Sequence, residues 1–340
     1  MSRGYDVAIL GATGLVGRTM AQVLAEHKFP VRSIKLLASK RSAGTKLRVL
    51  GEEVVVEEAT PASFKGVEIA LFSAGSGTSK ELAPAAARAG AVVIDNSKAW
   101  RMDKDVPLVV PEVNPEDVDW HNGIIANPNC STIQMVVALN PLHQANPIRR
   151  VIVDTYQSVG GTGGKGQAEL REQVALLAAG RDGDVKPSVY PHQIAGNLIA
   201  EIDEFLEDGS TLEETKMVKE THKIMHAPEI RIVATTVRVP VYSAHSEAVH
   251  LDFTRPISAP DARKILVQAP GVVVEDEPHN HRYPTPLAAS GRDEVFVGRI
   301  RPNEVFDNGL SMWVVADNVR KGAATNAVQI AETLVKRGRL

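Results

Sequence analysis

A single cysteine is present among the 340 residues of this chain. Cys130 lies in the segment Asn127-Pro128-Asn129-Cys130-Ser131-Thr132, between a Pro-Asn turn and an apolar stretch that is typical of a helix. A thiol at a helix N-terminus faces the positive end of the helix dipole, which stabilises the thiolate and lowers the thiol pKa. The position favours a nucleophile, whereas a lone cysteine without such a context is more often a small buried apolar side chain.

Two further constellations in the second half of the chain could carry charge or protons. Arg238 interrupts an apolar, β-like run, where an unpaired cation is costly, so it requires an anion from a protein carboxylate or a substrate. His245 follows seven residues later and has a pKa range suited to proton transfer near neutrality. Glu220 and Lys223 are three apart in a predicted helix over residues 212–225, a spacing that by itself is typical of a solvated pair.

The elements at the start of the chain predict a dinucleotide-binding domain. An apolar strand over residues 5–10 leads directly into Gly11-Ala12-Thr13-Gly14-Leu15-Val16-Gly17 and a helical stretch to about His27. Small residues at such a turn let the backbone approach a pyrophosphate, which then lies on the helix N-terminus. The glycine spacing departs from G-x-G-x-x-G, so the position after a strand carries the prediction. The predicted contacts to the cofactor are Gly11, Thr13, Gly14, Leu15 and Val16.

The next strand, predicted over residues 33–38, ends in Ser39-Lys40-Arg41-Ser42. An NAD site usually has an acidic residue here, so the cation and hydroxyl of Arg41 and Ser42 favour the 2'-phosphate of NADP, with a solvated basic turn as the alternative. Further parallel strands are predicted over residues 67–72 and 91–94, and loops at the carboxyl ends of such strands line the cofactor crevice. These loops add three predicted cofactor contacts: Ala74, Gly75 and Asn96.

After Cys130 the pattern changes to β-rich runs, separated by polar or proline-containing segments instead of regular crossover helices. The runs cover residues 151–156, 231–241, 247–255, 294–301 and 310–316. They predict a mixed or antiparallel sheet in a separate catalytic domain. The predicted fold class is α/β: a Rossmann-like domain of residues 1–128, completed by a C-terminal helix within residues 318–340, and an α+β domain of residues 129–317.

A glycine-rich loop, residues 160–166, follows the segment Tyr156-Gln157-Ser158. It fails as a P-loop because Val159 and Gly166 stand where Gly and Ser or Thr are required. Gly160 and Gly161 could still let the backbone approach a nicotinamide ribose or a substrate, and an ordinary loop is equally compatible with the composition.

Composition excludes several function classes. Lys and Arg total 38 against 41 Asp and Glu, which gives a net charge of -3 and no global basic field for nucleic acid or anionic lipid. No apolar run approaches the roughly 18 residues that span a bilayer. A lone cysteine and the absence of a signal-like N-terminus lead us to expect a reducing cytoplasm. His279 and His281 have an H-x-H spacing without supporting ligands, so no metal is expected.

Taken together, these motifs resemble those of the aspartate-semialdehyde dehydrogenase family. The resemblance covers essentially the whole chain and depends on Gly11–Gly17, Asn129–Thr132, Tyr156–Ser158, Pro191–Ala195, Arg238 with His245, and Asp317–Ala324. It implies NADPH-dependent reductive dephosphorylation of L-aspartyl 4-phosphate to L-aspartate 4-semialdehyde, an early step toward lysine, threonine, methionine and diaminopimelate. It also implies a homodimer formed through the second domain.

The resemblance also implies roles for individual residues. Cys130 would form the thioacyl intermediate and His245 would be the acid/base catalyst. The residues implied in substrate binding are Arg101 and Lys223 for phosphate, Gln157 for the acyl group, Arg238 for the α-carboxylate, Glu220 for the amine, and Asn129 beside the nucleophile. Asn318 would contact the cofactor. An acyl phosphate suits this set because a soft nucleophile can expel phosphate and leave a thioester able to accept hydride.

One departure and two alternatives accompany the resemblance. Many relatives resemble Ser-Val-Ser-Gly-Ala-Gly after the glutamine, whereas this chain has Gly160 in place of the serine. An enzyme similar to N-acetyl-glutamyl-phosphate reductase is one alternative, although that family has a motif like His-Pro-Gly-Cys-Tyr. A non-catalytic NADP-sensing protein is the other, and it would be expected to lose Cys130 or His245.

Overall fold

The computed structural model describes residues 3–340, which form two compact units. One unit contains the chain up to Asn129 together with Ala323–Leu340, and the other contains Cys130–Gly322. The functional division predicted from the sequence, with boundaries after residues 128 and 317, stays a prediction.

The first unit is built on a seven-stranded sheet. Its strands are β1 Tyr5–Leu10, β2 Val31–Ala38, β3 Lys46–Val49, β4 Glu52–Glu58, β5 Ile69–Phe72, β6 Val92–Asp95 and β7 Ile124–Ala126. Their order is β3-β4-β2-β1-β5-β6-β7, and every neighbouring pair is parallel except the edge hairpin β3–β4. The six parallel strands have the order of a doubly wound sheet, with the topological switch point between β1 and β5. The predicted Rossmann-like class is confirmed; the hairpin and β7 were not predicted.

Packing explains the glycines that follow β1. Gly11 has a φ of +82°, and a Cβ there would lie 2.3 Å from the Ser73 carbonyl oxygen. Helix α1, Leu15–Glu26, begins after Gly14, which is its N-cap. A Cβ on Gly17 would lie 2.3 Å from the Gly11 carbonyl oxygen, so the helix can pack on the loop only without a side chain there. Steric contacts therefore require glycine at positions 11 and 17.

Two further helices complete the core of this unit. Helix α2, Ser76–Arg88, follows β5, and the C-terminal helix α8, Thr325–Lys336, packs against α1. The apolar side chains that α8 buries are Ala327, Val328, Ile330, Ala331 and Leu334. A π-helical turn, Arg320–Ala324, precedes α8, so the α-helix begins later than the predicted start near Asn318.

The second unit contains a six-stranded mixed sheet. Its strands are β8 Ile148–Gln157, β9 Arg231–Arg238, β10 His245–Phe253, β11 Val272–Val274, β12 Val295–Asn303 and β13 Gly309–Ala316, in the order β11-β12-β13-β10-β8-β9. The pairs β8–β9 and β11–β12 are parallel and the other pairs are antiparallel. A mixed sheet was predicted and is confirmed.

The expectation that regular crossover helices are missing from this unit is wrong. Its helices are α3 Cys130–Ala145, α4 Gly164–Ala178, α5 Leu212–Met225, α6 Ala259–Val267 and α7 Pro286–Ala289, and both α4 and α5 lie between the parallel strands β8 and β9. The glycine-rich start of α4 concealed it in the sequence. Gly166 is needed there because a Cβ would lie 2.7 Å from the Val159 carbonyl oxygen.

Residues 3–340 contain neither a membrane-spanning helix nor a cluster of metal ligands. No helix in this part of the chain is long and apolar enough to cross a membrane. Within the same residues, no three His, Cys, Asp or Glu side chains are gathered as metal ligands.

Candidate active site

Helix α3 begins at Cys130, whose Sγ lies 3.3 Å from Nε2 of His245. His245 is fully buried at the start of β10, and Cys130 is partly buried. The backbone N–H groups in the first turn of a helix have no partners within the helix, so their positive end faces the thiol. The structure thus brings together the predicted nucleophile and the predicted acid/base residue, two side chains far apart in the sequence.

The hydrogen bond to the other ring nitrogen fixes the tautomer of His245. The backbone N–H of Ser158 donates to Nδ1 over 3.0 Å, so Nδ1 carries no proton and neutral imidazole has its proton on Nε2, facing Sγ. Burial, followed by the charge of Arg238, holds the pKa of His245 well below its usual value. The ring is therefore neutral near pH 7 and presents an N–H donor to the sulfur.

The glycine loop lies directly against these groups. A Cβ on Gly161 would lie 2.9 Å from Nη1 of Arg238 and 3.3 Å from Nε2 of His245. A Cβ on Gly160 would lie 2.8 Å from the Tyr242 carbonyl oxygen, so the serine expected at this position would require that carbonyl to move. This close approach accounts for the departure noted in the sequence. Cofactor contacts of the two glycines remain predictions.

Asn318 forms hydrogen bonds to two segments that flank the ring of His245. Its Oδ1 accepts hydrogen bonds from the Ser158 hydroxyl and from the Ala244 backbone N–H, each at 3.0 Å. Ser158 contacts the ring of His245, and Ala244 precedes it in the chain. Asn318 therefore positions the histidine within this unit, and its predicted cofactor contact is untested.

Gln157 is held by a carboxylate that the sequence analysis missed. The buried Gln157 amide donates to Oε1 of Glu213 over 3.2 Å and to Oγ1 of Thr155 over 3.4 Å. Glu213 also pairs with Lys216 at 3.1 Å. Glu213 lies in the first turn of a helix that was predicted with its correct bounds, but acidic residues in a first turn are usually explained by the helix dipole. Only the packing of α5 against the sheet reveals its contact.

Arg238 contacts a backbone carbonyl oxygen and an aromatic ring in this structure. Its Nη1 donates to the Ser158 carbonyl oxygen over 2.9 Å, and its guanidinium lies 5.9 Å from the centre of the Tyr190 ring. Both contacts leave the cation able to accept an anionic ligand, because a carbonyl oxygen and a ring face do not neutralise it. Tyr190 was not predicted and has no signal in the sequence beyond its aromatic side chain.

The remaining predicted substrate residues lie on different elements. Glu220 is buried on α5, which packs against α3 and β9, and Lys223 lies partly buried one turn further along α5. Asn129 is buried immediately before Cys130 in the chain. The roles of all three remain predictions.

In the first unit, the predicted cofactor residues follow the carboxyl ends of neighbouring parallel strands. Gly11, Thr13, Gly14, Leu15 and Val16 follow β1, Arg41 and Ser42 follow β2, Ala74 and Gly75 follow β5, and Asn96 follows β6. Since β2, β1, β5 and β6 are adjacent in the sheet, these loops share one edge, which is where doubly wound sheets bind nucleotides.

A buried aspartate organises the loop that carries Arg101. Asp95 accepts hydrogen bonds from the hydroxyls of Ser79 at 2.8 Å and Ser97 at 2.6 Å, and its pKa is raised by burial. The Trp100 indole donates to the same Ser79 hydroxyl at 2.9 Å. Arg101 is itself buried, and its Nη2 donates to the Asn96 carbonyl oxygen over 2.7 Å. The sequence analysis did not identify Asp95.

A sheet of the dinucleotide-binding type and a cysteine paired with a neutral histidine define a class of protein, the dehydrogenases that form a thioester with their substrate. Two family models agree with this class: "Semialdehyde dehydrogenase, NAD binding domain" matches residues 6–121, and "Semialdehyde dehydrogenase, dimerisation domain" matches residues 139–321.

Curated relatives and solved structures narrow the class. The aspartate-semialdehyde dehydrogenase of Aquifex aeolicus is 58% identical over 98% of this chain and 99% of its own, and that of Bacillus subtilis is 49% identical over 99% of both. The crystal structure of aspartate semialdehyde dehydrogenase II of Vibrio cholerae complexed with ASA has a TM-score of 0.95 at 49% identity, covering 98% of this chain and 99% of that one. The enzyme of Candida albicans with NADP has a TM-score of 0.77 at 27% identity, covering 98% of each chain.

The chain belongs to the aspartate-semialdehyde dehydrogenase family. The resemblance inferred from its motifs is confirmed. These findings support the function of an aspartate-semialdehyde dehydrogenase. They do not support an enzyme similar to N-acetyl-glutamyl-phosphate reductase or a non-catalytic NADP-sensing protein.

Proposed function

We propose that this chain reduces L-aspartyl 4-phosphate to L-aspartate 4-semialdehyde, oxidising NADPH and releasing phosphate. The observation that carries the proposal is the contact between Cys130 at the start of α3 and His245 at the start of β10, in a chain that belongs to this family throughout its length. The solved relatives with ASA and with NADP support the same substrate and cofactor classes.

The geometry of the pair suits both halves of the reaction. The Cys130 thiolate attacks the acyl carbon, the carbonyl oxygen becomes an oxyanion, and the collapse of this tetrahedral species expels phosphate and leaves a thioester. Reduced nicotinamide, when bound, would supply the hydride that reduces the thioester, and release of the Cys130 thiolate would then yield the aldehyde. The Nε2–H of His245 can donate to the developing oxyanion and to the leaving thiolate.

The other assignments complete the proposal. Gln157, fixed by Glu213, would orient the acyl group, and Arg238 would bind the α-carboxylate. Glu220 would meet the substrate amine. Arg101, Lys223 and Asn129 would bind the phosphate and acyl part of the substrate. For the cofactor, the basic turn with Arg41 and Ser42 supports NADP over NAD.

The open face of the second sheet supports a homodimer. Along β8, Val151 and Val153 are buried, whereas Tyr156, which points to the opposite face, is 38% exposed. On the same face, Val233 of β9 is 57% exposed, and the Trp313 ring of β13 lies 5.4 Å from that of Tyr156. Apolar surface of this kind, within a region matched by a dimerisation-domain model, fits a second copy of the chain. A catalytic thiol also fits our proposal that the enzyme acts in the cytoplasm.

The reverse reaction tests the proposal. Purified protein is mixed with aspartate semialdehyde, NADP and phosphate, and NADPH formation is followed by absorbance; NAD and the Cys130→Ala variant are tested in parallel. We expect phosphate-dependent NADPH formation that is lost in the variant. No turnover with intact cofactor binding contradicts the proposal, and the N-acetylated glutamate semialdehyde would then be the next substrate to test.

A further inference from the structure

A buried carboxyl group lies close to the candidate catalytic pair. Glu247 is fully buried on β10 and points to the same face as His245, two residues earlier. Neither of its oxygens accepts a hydrogen bond of ordinary geometry from residues 3–340. Burial raises the pKa of Glu247 well above its usual value, against a smaller opposing effect of the Gln134 amide. Burial therefore favours the neutral acid form of Glu247, which has a proton to donate.

Gln134 lies between this acid and the catalytic pair. It is one helical turn beyond Cys130 on α3, hence on the same side of the helix. Its Nε2 donates to the His245 carbonyl oxygen over 3.4 Å, a long bond that joins α3 to β10. Its own Oε1 is buried and lacks a partner among the described residues. The orphaned amide oxygen and the buried carboxyl group therefore belong to two side chains that lie close enough to interact.

No charged side chain lies directly opposite Glu247 in the sheet. The positions opposite Glu247 in the sheet are Thr155 on β8 and Val314 on β13. The charged side chains of α5, which packs against α3, are Glu213, Glu214, Lys216, Lys219, Glu220 and Lys223, and Glu213 pairs with Lys216. Toward the catalytic end, the cations are Arg238 and the buried Lys321, and the titratable groups are His245 and Cys130.

We propose that Glu247 and Gln134 form a positioning pair that holds Cys130 and His245 in register. As a carboxylic acid, Glu247 donates its hydrogen bond to Oε1 of Gln134, while Nε2 of the same amide donates to the His245 carbonyl. This arrangement satisfies the orphaned oxygen and links the helix that carries the nucleophile to the strand that carries the imidazole. The proposal rests on the proposed function only in treating Cys130 as the nucleophile.

Alkylation of Cys130 by iodoacetamide tests the pair, since no other cysteine competes. The variants are Glu247→Leu, Glu247→Gln and, as a control for lost packing on the same strand face, Val249→Ala. We expect Glu247→Leu to be as stable as the wild type or more so, because a buried polar group is removed, yet to be alkylated about tenfold more slowly across the pH profile, with kcat reduced and KM unchanged. Glu247→Gln, which keeps a neutral donor, should restore both rates to within about twofold of the wild type.

Two results would overturn the proposal. One is a Glu247→Leu protein that reacts like the wild type or only as much slower as Val249→Ala. The other is a Glu247→Gln protein as slow as Glu247→Leu, which would mean that a neutral donor is not what is needed. If Glu247→Leu fails to fold, Gln134→Met removes the amide at similar size and should show the same slow alkylation. Because alkylation needs no turnover, a wild type without dehydrogenase activity would refute the proposed function and still leave this comparison decisive.

Discussion

At Cys130, two independent features favour the thiolate: the N-terminus of α3 and the Nε2–H of a neutral His245. The second depends on the Ser158 backbone N–H, which leaves only one ring nitrogen free to carry the proton. The histidine therefore acts toward the sulfur as a donor. In the proposed reaction, this proton would be available to the oxyanion and to the leaving thiolate.

The depressed pKa of His245 predicts how stability depends on pH. The folded ring resists protonation, whereas the unfolded ring protonates near its ordinary pKa, so the free energy of unfolding contributed by burial is present above that pKa and is lost as pH falls toward the folded value. Between pH values of about 7.5 and 5.5 the loss should be about 1 kcal/mol. Urea unfolding of wild type and His245→Gln at both pH values should show this loss only in the wild type.

The contribution of Glu247 to the pH dependence of stability has the opposite sign. Its raised pKa makes the folded protein less stable as pH rises from the ordinary carboxyl range. It is present in both proteins and cancels in the comparison. An identical pH dependence in wild type and His245→Gln would contradict the neutral, buried imidazole.

The close packing of Gly322 against Cys130 predicts that a side chain at position 322 would impair catalysis and stability. A Cβ on Gly322 would lie 2.7 Å from Cβ and 3.2 Å from Cα of Cys130. Gly322→Ala should therefore displace the thiol, lowering kcat about tenfold and stability by roughly 1–3 kcal/mol. Gly183→Ala is the matched control, because a Cβ there meets nothing within 4 Å. Steady-state kinetics and thermal unfolding of both variants make the test, and equal values for the two would refute it.

At the level of elements, the N-terminal cap of helix α5 helps to position residues of the candidate site. Thr211 and Glu214 form a capping box, in which Oγ1 of Thr211 accepts from the Glu214 N–H at 3.3 Å and Oε2 of Glu214 accepts from the Thr211 N–H at 2.8 Å. The other Glu214 oxygen accepts from the Thr236 N–H of β9 at 3.0 Å. The cap thus fixes α5 to the sheet, and with it the Glu213 carboxylate that holds Gln157.

Removal of this cap should affect both stability and catalysis. Thr211→Ala is expected to cost about 1 kcal/mol of stability and to reduce kcat several-fold, because Gln157 loses its fixed partner. Ser258→Ala provides a comparison, since Ser258 caps α6 by accepting from the Asp261 N–H at 3.2 Å and α6 carries no predicted site residue. Denaturant unfolding and kcat are measured for both. Loss of activity in both variants to the same extent would show that general destabilisation, and not α5, is responsible.

At the level of the whole molecule, the open sheet face should control assembly. Val233 is 57% exposed in the single chain, so Val233→Asp leaves the core intact but places a charge in the proposed dimer interface. Sedimentation velocity should show a dimer for the wild type and a monomer with unchanged circular dichroism for the variant. Val267→Asp, at a 64% exposed position on α6, should remain dimeric. A wild type that sediments as a monomer would refute the interface.

Local signals in the sequence determined much of the fold and of the candidate site. Strand β1 and helix α5 were predicted with their observed bounds, because a short apolar run before a glycine turn and a capped amphipathic helix are encoded by neighbouring residues. Cys130 was predicted to lie at a helix N-terminus for the same reason, and α3 begins at this residue. Arg238 was distinguished locally as a cation within an apolar run, whereas the family motifs supplied Gln157 and distinguished His245 from the other histidines.

Tertiary structure decided which of these groups meet and in what protonation state. The tautomer of His245 depends on Ser158, the orientation of Gln157 on Glu213, and the raised pKa of Glu247 on its burial. Each partner is on a different element from the residue it controls. Contacts of this kind, and the desolvation that shifts a pKa, arise only from the register of distant segments, whereas sequence patterns report what neighbouring residues do.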